Sequence, residues 1–151
     1  MAKRYIIVNM SQKGHTMIYE VEGRTKNISL ALLDKVLCFA QDYLGIKETA
    51  VLTIKFSRGL DEHVCGYCDE VDIDEDWVEV ELNTTLKRES MIATIFHEMV
   101  HVQQILTKRL VQGSPSTWNG IEYGNDYSEL PWEIEAYDLE EKMVREFNPN
   151  V

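Results

Sequence analysis

Two stretches of this chain alternate apolar and polar residues cleanly. Val51, Thr53 and Lys55 stand against Leu52, Ile54 and Phe56, which predicts a strand over 51–56. In 77–83, Val78, Val80 and Leu82 face inward while Glu79 and Glu81 face out. Tyr5–Asn9 and Met17–Val21 read as shorter strands, and 63–71, with Val64, Tyr67 and Val71, as a less regular one. Other stretches repeat at helical spacing. Leu30, Leu33, Val36, Leu37, Ala40 and Leu44 follow Ser29, a suitable N-cap, and Gly45 supplies the stop. A second helix is predicted over about 87–110, ended by Gly113-Ser114-Pro115. Its stripe of Ile92, Ile95, Phe96, Met99, Val102 and Leu106, widened by Ala93, Val100 and Ile105, marks it as largely buried. Residues 114–130 read as irregular, apart from Asn119-Gly120, a strong signal for a tight hairpin turn. Pro131 suits the first turn of a last helix reaching about Phe147, and Pro149 closes it. The order predicts an α+β fold: a small, mostly antiparallel sheet packed against helices, in one domain spanning 1–151.

Composition narrows the function classes. The 151 residues are 44% apolar and 27% charged, ordinary for a globular protein. No apolar run approaches the roughly 18 to 20 residues that span a bilayer, so no membrane partner is expected. Tyr5–Val8 is too short an apolar run for a signal peptide, which points to a cytoplasmic location. A net charge of −11 argues against nucleic acid as a partner. Three cysteines, Cys38, Cys65 and Cys68, make a disulfide framework unexpected. Cys65-Gly66-Tyr67-Cys68 lacks the second pair of a structural zinc site; even with His63 nearby, it reads as two reduced cysteines in or beside a strand. The acidic run Asp72, Asp74, Glu75, Asp76 lacks the glycine and the closing glutamate of a calcium loop.

The chemistry concentrates in the second helix. His97-Glu98-Met99-Val100-His101 places two imidazoles one turn apart on one helical face, where both can reach one ion. Glu98 beside them is suited to take a proton from a metal-activated water and return it to a leaving amine. A hydrolytic zinc site wants a third protein ligand. His15 and His63 both lie upstream, so a carboxylate of the last helix is expected among Glu129, Glu133, Glu135, Asp138, Glu140 and Glu141. Glu133 shares a face with Ala136, Tyr137, Glu140, Met143, Val144 and Phe147, whereas Glu135 lies with Asp138, Lys142 and Glu146 on the solvated side. Periodicity therefore favours Glu133 and keeps Glu135 as the alternative. Stabilising the developing oxyanion needs a donor, for which Tyr123, Tyr127 and Tyr137 are candidates. Trp118 and Trp132 read as packing residues.

His97-Glu98-x-x-His101 followed by Glu133-Ile134-Glu135-Ala136 resembles the gluzincin-type zinc metallopeptidases. Trp118-x-Gly120-x-x-Tyr123, then Tyr127, then Pro131–Tyr137, is similar to small metallopeptidases often encoded by bacteriophages. The resemblance covers roughly residues 90 to 140. It implies that His97, His101 and Glu133 bind Zn2+, that Glu98 is the general base, and that a protein or peptide is the substrate. Where many members carry Asp or Asn after the alanine, this chain has Tyr137. By analogy with such folds, the strand before the active helix, Trp77–Asn83, is the expected edge for pairing with extended substrate. The alternative function is a catalytically idle module that binds a protein partner and uses zinc structurally; the presence of Glu98 favours the peptidase.

Overall fold

A computed structural model describes residues 4–10, 16–47, 49–61, 63–124 and 129–150. Strands β1 (Arg4–Met10) and β2 (Thr16–Glu22) pair antiparallel. Helix α1 (Leu30–Leu44) then carries the chain to β3 (Val51–Ser57), which lies parallel to β2, as a helical crossover allows. Ser29 caps α1 by accepting a hydrogen bond from the Leu32 N–H, and Gly45 ends it in the left-handed region at φ 68°. Next come β4 (Gly66–Asp72), a 3-10 turn (Ile73–Glu75) and β5 (Trp77–Asn83).

The order across the sheet is β1-β2-β3-β5-β4. The class is the α+β expected, and the sheet is mixed: antiparallel pairs lie at its two sides and parallel pairs at its centre. Period-two burial on β3 and β5 puts Leu52, Ile54, Phe56, Val78, Val80 and Leu82 into the core. There they join Leu33, Val36 and Leu37 of α1 and Met91, Ile95, Met99 and Val102 of α2 (Arg88–Leu106). On the opposite face the Trp77 indole donates to the Thr53 hydroxyl at 2.9 Å.

Two sequence expectations are corrected here. Trp77–Asn83 is not an edge: β5 pairs with β3 on one side and β4 on the other. The chain passes to the outside for β4 and turns back, so Gly66–Asp72 is the edge strand beside α2. Helix α2 also stops at Leu106, short of the expected end near 110. The Thr107 hydroxyl donates back to the Gln103 carbonyl, Lys108 takes φ 61°, and the Arg109 N–H closes on the Gln104 carbonyl at 3.0 Å. The apolar Leu110 then enters strand β6 (Leu110–Val111) instead of a further turn.

β6 pairs antiparallel with β7 (Ser116–Trp118), and β7 with β8 (Ile121–Tyr123), giving order to a segment expected to be irregular. The hairpin turn falls on Asn119-Gly120 as the sequence predicts, both at positive φ, 50° and 82°. Helix α3 (Pro131–Glu146) begins on Pro131 and packs along α2. Among the described residues, no helix is long and apolar enough to cross a membrane.

Candidate metal centre

The site lies where α3 meets α2. Ala136 and Met143 are fully buried, and the small alanine lets the two helices come close. Phe147 anchors the far end of α3 between Phe39 and Phe96. The same helical face carries Glu133 and Glu140 over the two histidines of α2.

His97 and His101 are buried, with ring centroids 4.9 Å apart. The Glu133 carboxylate reaches both: Oε1 is 2.5 Å from His101 Nε2, and Oε2 is 3.5 Å from His97 Nε2. One ligand atom from each of the three residues falls within 4.8 Å of the others, so the trio can hold a metal ion. Two imidazole nitrogens and a carboxylate oxygen suit zinc, whose tetrahedral ligands stand on the order of 3.4 Å apart at bonds of ~2.0–2.1 Å.

The outer nitrogens explain why both Nε2 atoms converge. His97 Nδ1 lies 3.1 Å from the Glu140 carboxylate, and His101 Nδ1 lies 2.8 Å from the Gln104 side-chain oxygen. Each acceptor fixes the tautomer that leaves Nε2 facing inward. Gln104 is held in turn. Its amide donates to the Trp132 carbonyl at 3.0 Å and to Glu135 Oε1 at 3.1 Å. Arg109 grips both oxygens of Glu135, at 2.9 and 2.8 Å, and stacks over the Trp118 ring. The alternative third ligand, Glu135, is therefore committed to Arg109 and Gln104, and Glu133 is the one that meets the histidines.

Burial pushes the Glu133 carboxyl up, but hydrogen bonds and charge from His101 and His97 outweigh it and hold it at about 2. Burial lowers His101, yet hydrogen bonds to Glu133 and Gln104 leave it raised. Glu98 is 6% exposed and held at about 6, because burial and the Glu133 charge outweigh attraction from the two histidines.

Glu98 opens into a cavity of about 230 Å3 together with His97, His101 and Glu133. Gly66, Tyr67 and Cys68 of β4 form one wall, and Leu110, Gln112 and Trp132 another. Cys65 is exposed and Cys68 buried, both as free thiols; burial raises the Cys68 thiol well above its usual range.

The tyrosines divide. Tyr137 places its ring 4.5 Å from that of His97 and is 62% exposed, while Tyr67, not singled out by the sequence, is the tyrosine that lines the cavity. Burial and the charges of Glu133 and Glu140 raise its pKa. Tyr123 packs edge-on against Trp132, bracing the start of α3. Tyr127 lies outside the described residues.

Sequence reasoning did not assign the parts played by Glu140, Gln104 and Arg109. A usable signal for two of them was spacing: Glu140 lies two turns beyond Glu133, and Gln104 one turn beyond His101. Comparison of the chain with family models, with curated proteins and with solved structures finds no match in any of the three.

Proposed function

We propose that this chain is a zinc-dependent peptidase that hydrolyses peptide bonds in a protein or peptide substrate. One observation carries the reading: Glu98, a buried carboxylate held at about 6, opens into the same cavity as the His97, His101 and Glu133 group. A purely structural site has no use for such a group, because burying a carboxylate that binds no ion costs stability.

His97, His101 and Glu133 hold the ion. Zinc bound there supplies a Lewis acid that lowers the pKa of water towards ~7. Glu98 takes one proton from the attacking water as the C–O bond forms, and hands it to the amine as the C–N bond breaks. Tyr137, whose ring lies against that of His97, is the candidate donor of a hydrogen bond to the developing oxyanion. The edge strand β4 walls the cavity and offers backbone groups for an extended peptide.

The test compares wild type with Glu98→Gln after zinc content has been measured in both. Equal zinc, with cleavage of denatured casein or a peptide library confined to wild type, is the expected result. Equal zinc with no cleavage above the Glu98→Gln background would leave the idle, partner-binding module as the surviving alternative.

A further inference from the structure

The edge strand beside the metal group is already partly paired, by a side chain. The Asn83 N–H bonds to the Cys65 carbonyl at 2.9 Å, which fixes the alternation along β4. Cys65, Tyr67 and Asp69 turn their backbone groups towards β5, and Gly66, Cys68 and Glu70 turn theirs outward. Gln112, just past β6, meets that outward row. Its amide donates to the Cys68 carbonyl at 2.8 Å, and its side-chain oxygen accepts from the Glu70 N–H at 3.2 Å. A primary amide offers one donor and one acceptor side by side, as a peptide group of a neighbouring strand does. Beyond Glu70, a bulge before Asp72 and the 3-10 turn interrupt the edge.

Among the described residues, what remains of the outward row is the Gly66 N–H and C=O and the Cys68 N–H on the near side of Gln112, and the Glu70 C=O beyond it, next to the bulge. Gly66 and Cys68 line the metal cavity, and Glu70 does not.

We propose that Gln112 is a specificity-determining residue: it terminates the peptide-binding edge of β4, so that an extended substrate pairs by its backbone only at Gly66 and the Cys68 N–H, beside the metal. The inference rests on the peptidase reading and adds the substrate class. The site takes a short extended segment and gains nothing from residues further along β4. Edge strands also need protection from pairing with other chains, and here the same contact sets the length of substrate that is gripped.

Two nested series of peptide hydroxamates, one to four residues long, test this. One series carries the chelating group at its carboxyl end and the other carries a succinyl hydroxamate at its amino end, which covers both directions along β4. Both are titrated calorimetrically against the zinc-loaded protein and its Gln112→Ala variant. Wild-type affinity is expected to stop rising after the first paired residue. In Gln112→Ala one series is expected to gain roughly tenfold more over the next two residues, the yield of one or two further backbone hydrogen bonds. Gln112→Glu keeps the acceptor for Glu70 and loses the donor to Cys68, so its gain should be intermediate.

Amide exchange at Glu70 gives an independent readout. It should be slow in wild type, fast in Gln112→Ala, and slow again when the longer hydroxamate binds that variant. The same length dependence in wild type and Gln112→Ala overturns the proposal. So does a Gln112→Ala variant that only self-associates, because Gln112 would then protect the edge without setting substrate length. Failure of every hydroxamate to bind the zinc-loaded wild type removes the peptidase reading itself, and this inference with it.

Discussion

His97 and His101 stand one helical turn apart, yet the regions that hold their outer nitrogens differ in kind. On the His101 side, Gln104 is fully buried and belongs to a chain that runs through Glu135 to Arg109 and the Trp118 ring. That chain also grips the Trp132 carbonyl, one residue before Glu133. On the His97 side there is one carboxylate, Glu140, with its side chain 25% exposed, and one tilted ring, Tyr137. The closed side can fix an imidazole and the start of α3 together. The open side orients an imidazole beside solvent. Rigidity on one flank and access on the other are what the proposed hydrolysis would require of its surroundings.

The largest expected effect tests whether the ion belongs to both sides. Glu133→Ala is expected to abolish stoichiometric zinc binding, as His97→Ala and His101→Ala do, by removing a ligand. Glu135→Ala should still bind zinc, more weakly, because it breaks the support behind His101 and takes from Arg109 its carboxylate, leaving it only Gln103 and the Trp118 ring. Inductively coupled plasma analysis of the purified variants decides this. Retained zinc in Glu133→Ala with loss in Glu135→Ala would reverse the assignment.

The next effect compares the two supports directly. Gln104→Ala is expected to weaken zinc roughly 10- to 100-fold, the usual range when an orienting partner is removed. Glu140→Gln should cost less, within about tenfold, because a glutamine oxygen can still accept from the His97 Nδ1–H. Competition with a chromophoric chelator measures both, and equal losses would erase the asymmetry.

Much of this arrangement was legible where the signal is local. Alternation placed β3 and β5, Ser29 and Gly45 bounded α1, and Asn119-Gly120 marked the hairpin. Helical periodicity picked Glu133, but its ground held only in part: Glu135, expected on the solvated side, is paired with Arg109 and Gln104 and is no more exposed than Glu133, while Tyr137 and Val144 of the expected apolar face are exposed. The position of β4 at the edge was not legible, since strand order depends on long-range pairing that leaves no mark on a single strand. The early end of α2 was hidden for a related reason. Thr107 and Lys108 can continue a helix, and Arg109 and Leu110 leave it for Glu135 and β7. The Arg109–Glu135 pair spans α2, the hairpin and α3, beyond the reach of any spacing rule.

Acidity separates the metal-free protein from the loaded one. Without zinc, the His101 pKa is raised, so its contribution to stability is complete below the ordinary 6.5 and is lost as pH rises through the raised value. Glu133 is held at about 2, so its contribution is present above the ordinary 4.5 and is lost as pH falls towards 2. Stabilisation of the metal-free protein by this pair is therefore greatest between those two ordinary values. Zinc requires deprotonated imidazoles, so its stabilisation grows as pH rises through the histidine range. The zinc-induced increase in Tm is expected to be larger at about pH 8 than at about pH 5.5. A constant increase across that interval would mean that the histidines are not the ligands.

The smallest effect on the ion is expected at Tyr137, which belongs to the open side alone. Tyr137→Phe keeps the ring over His97 and removes only the hydroxyl, so zinc affinity should stay within about twofold. If the phenol donates to the oxyanion, kcat falls by roughly 10- to 100-fold while KM is nearly unchanged, because the lost bond forms only in the transition state. A proportional rise in KM with kcat intact would instead make Tyr137 a substrate-binding residue. Unchanged kinetics would pass the donor's role to another group and leave Tyr137 as the ring that packs on His97.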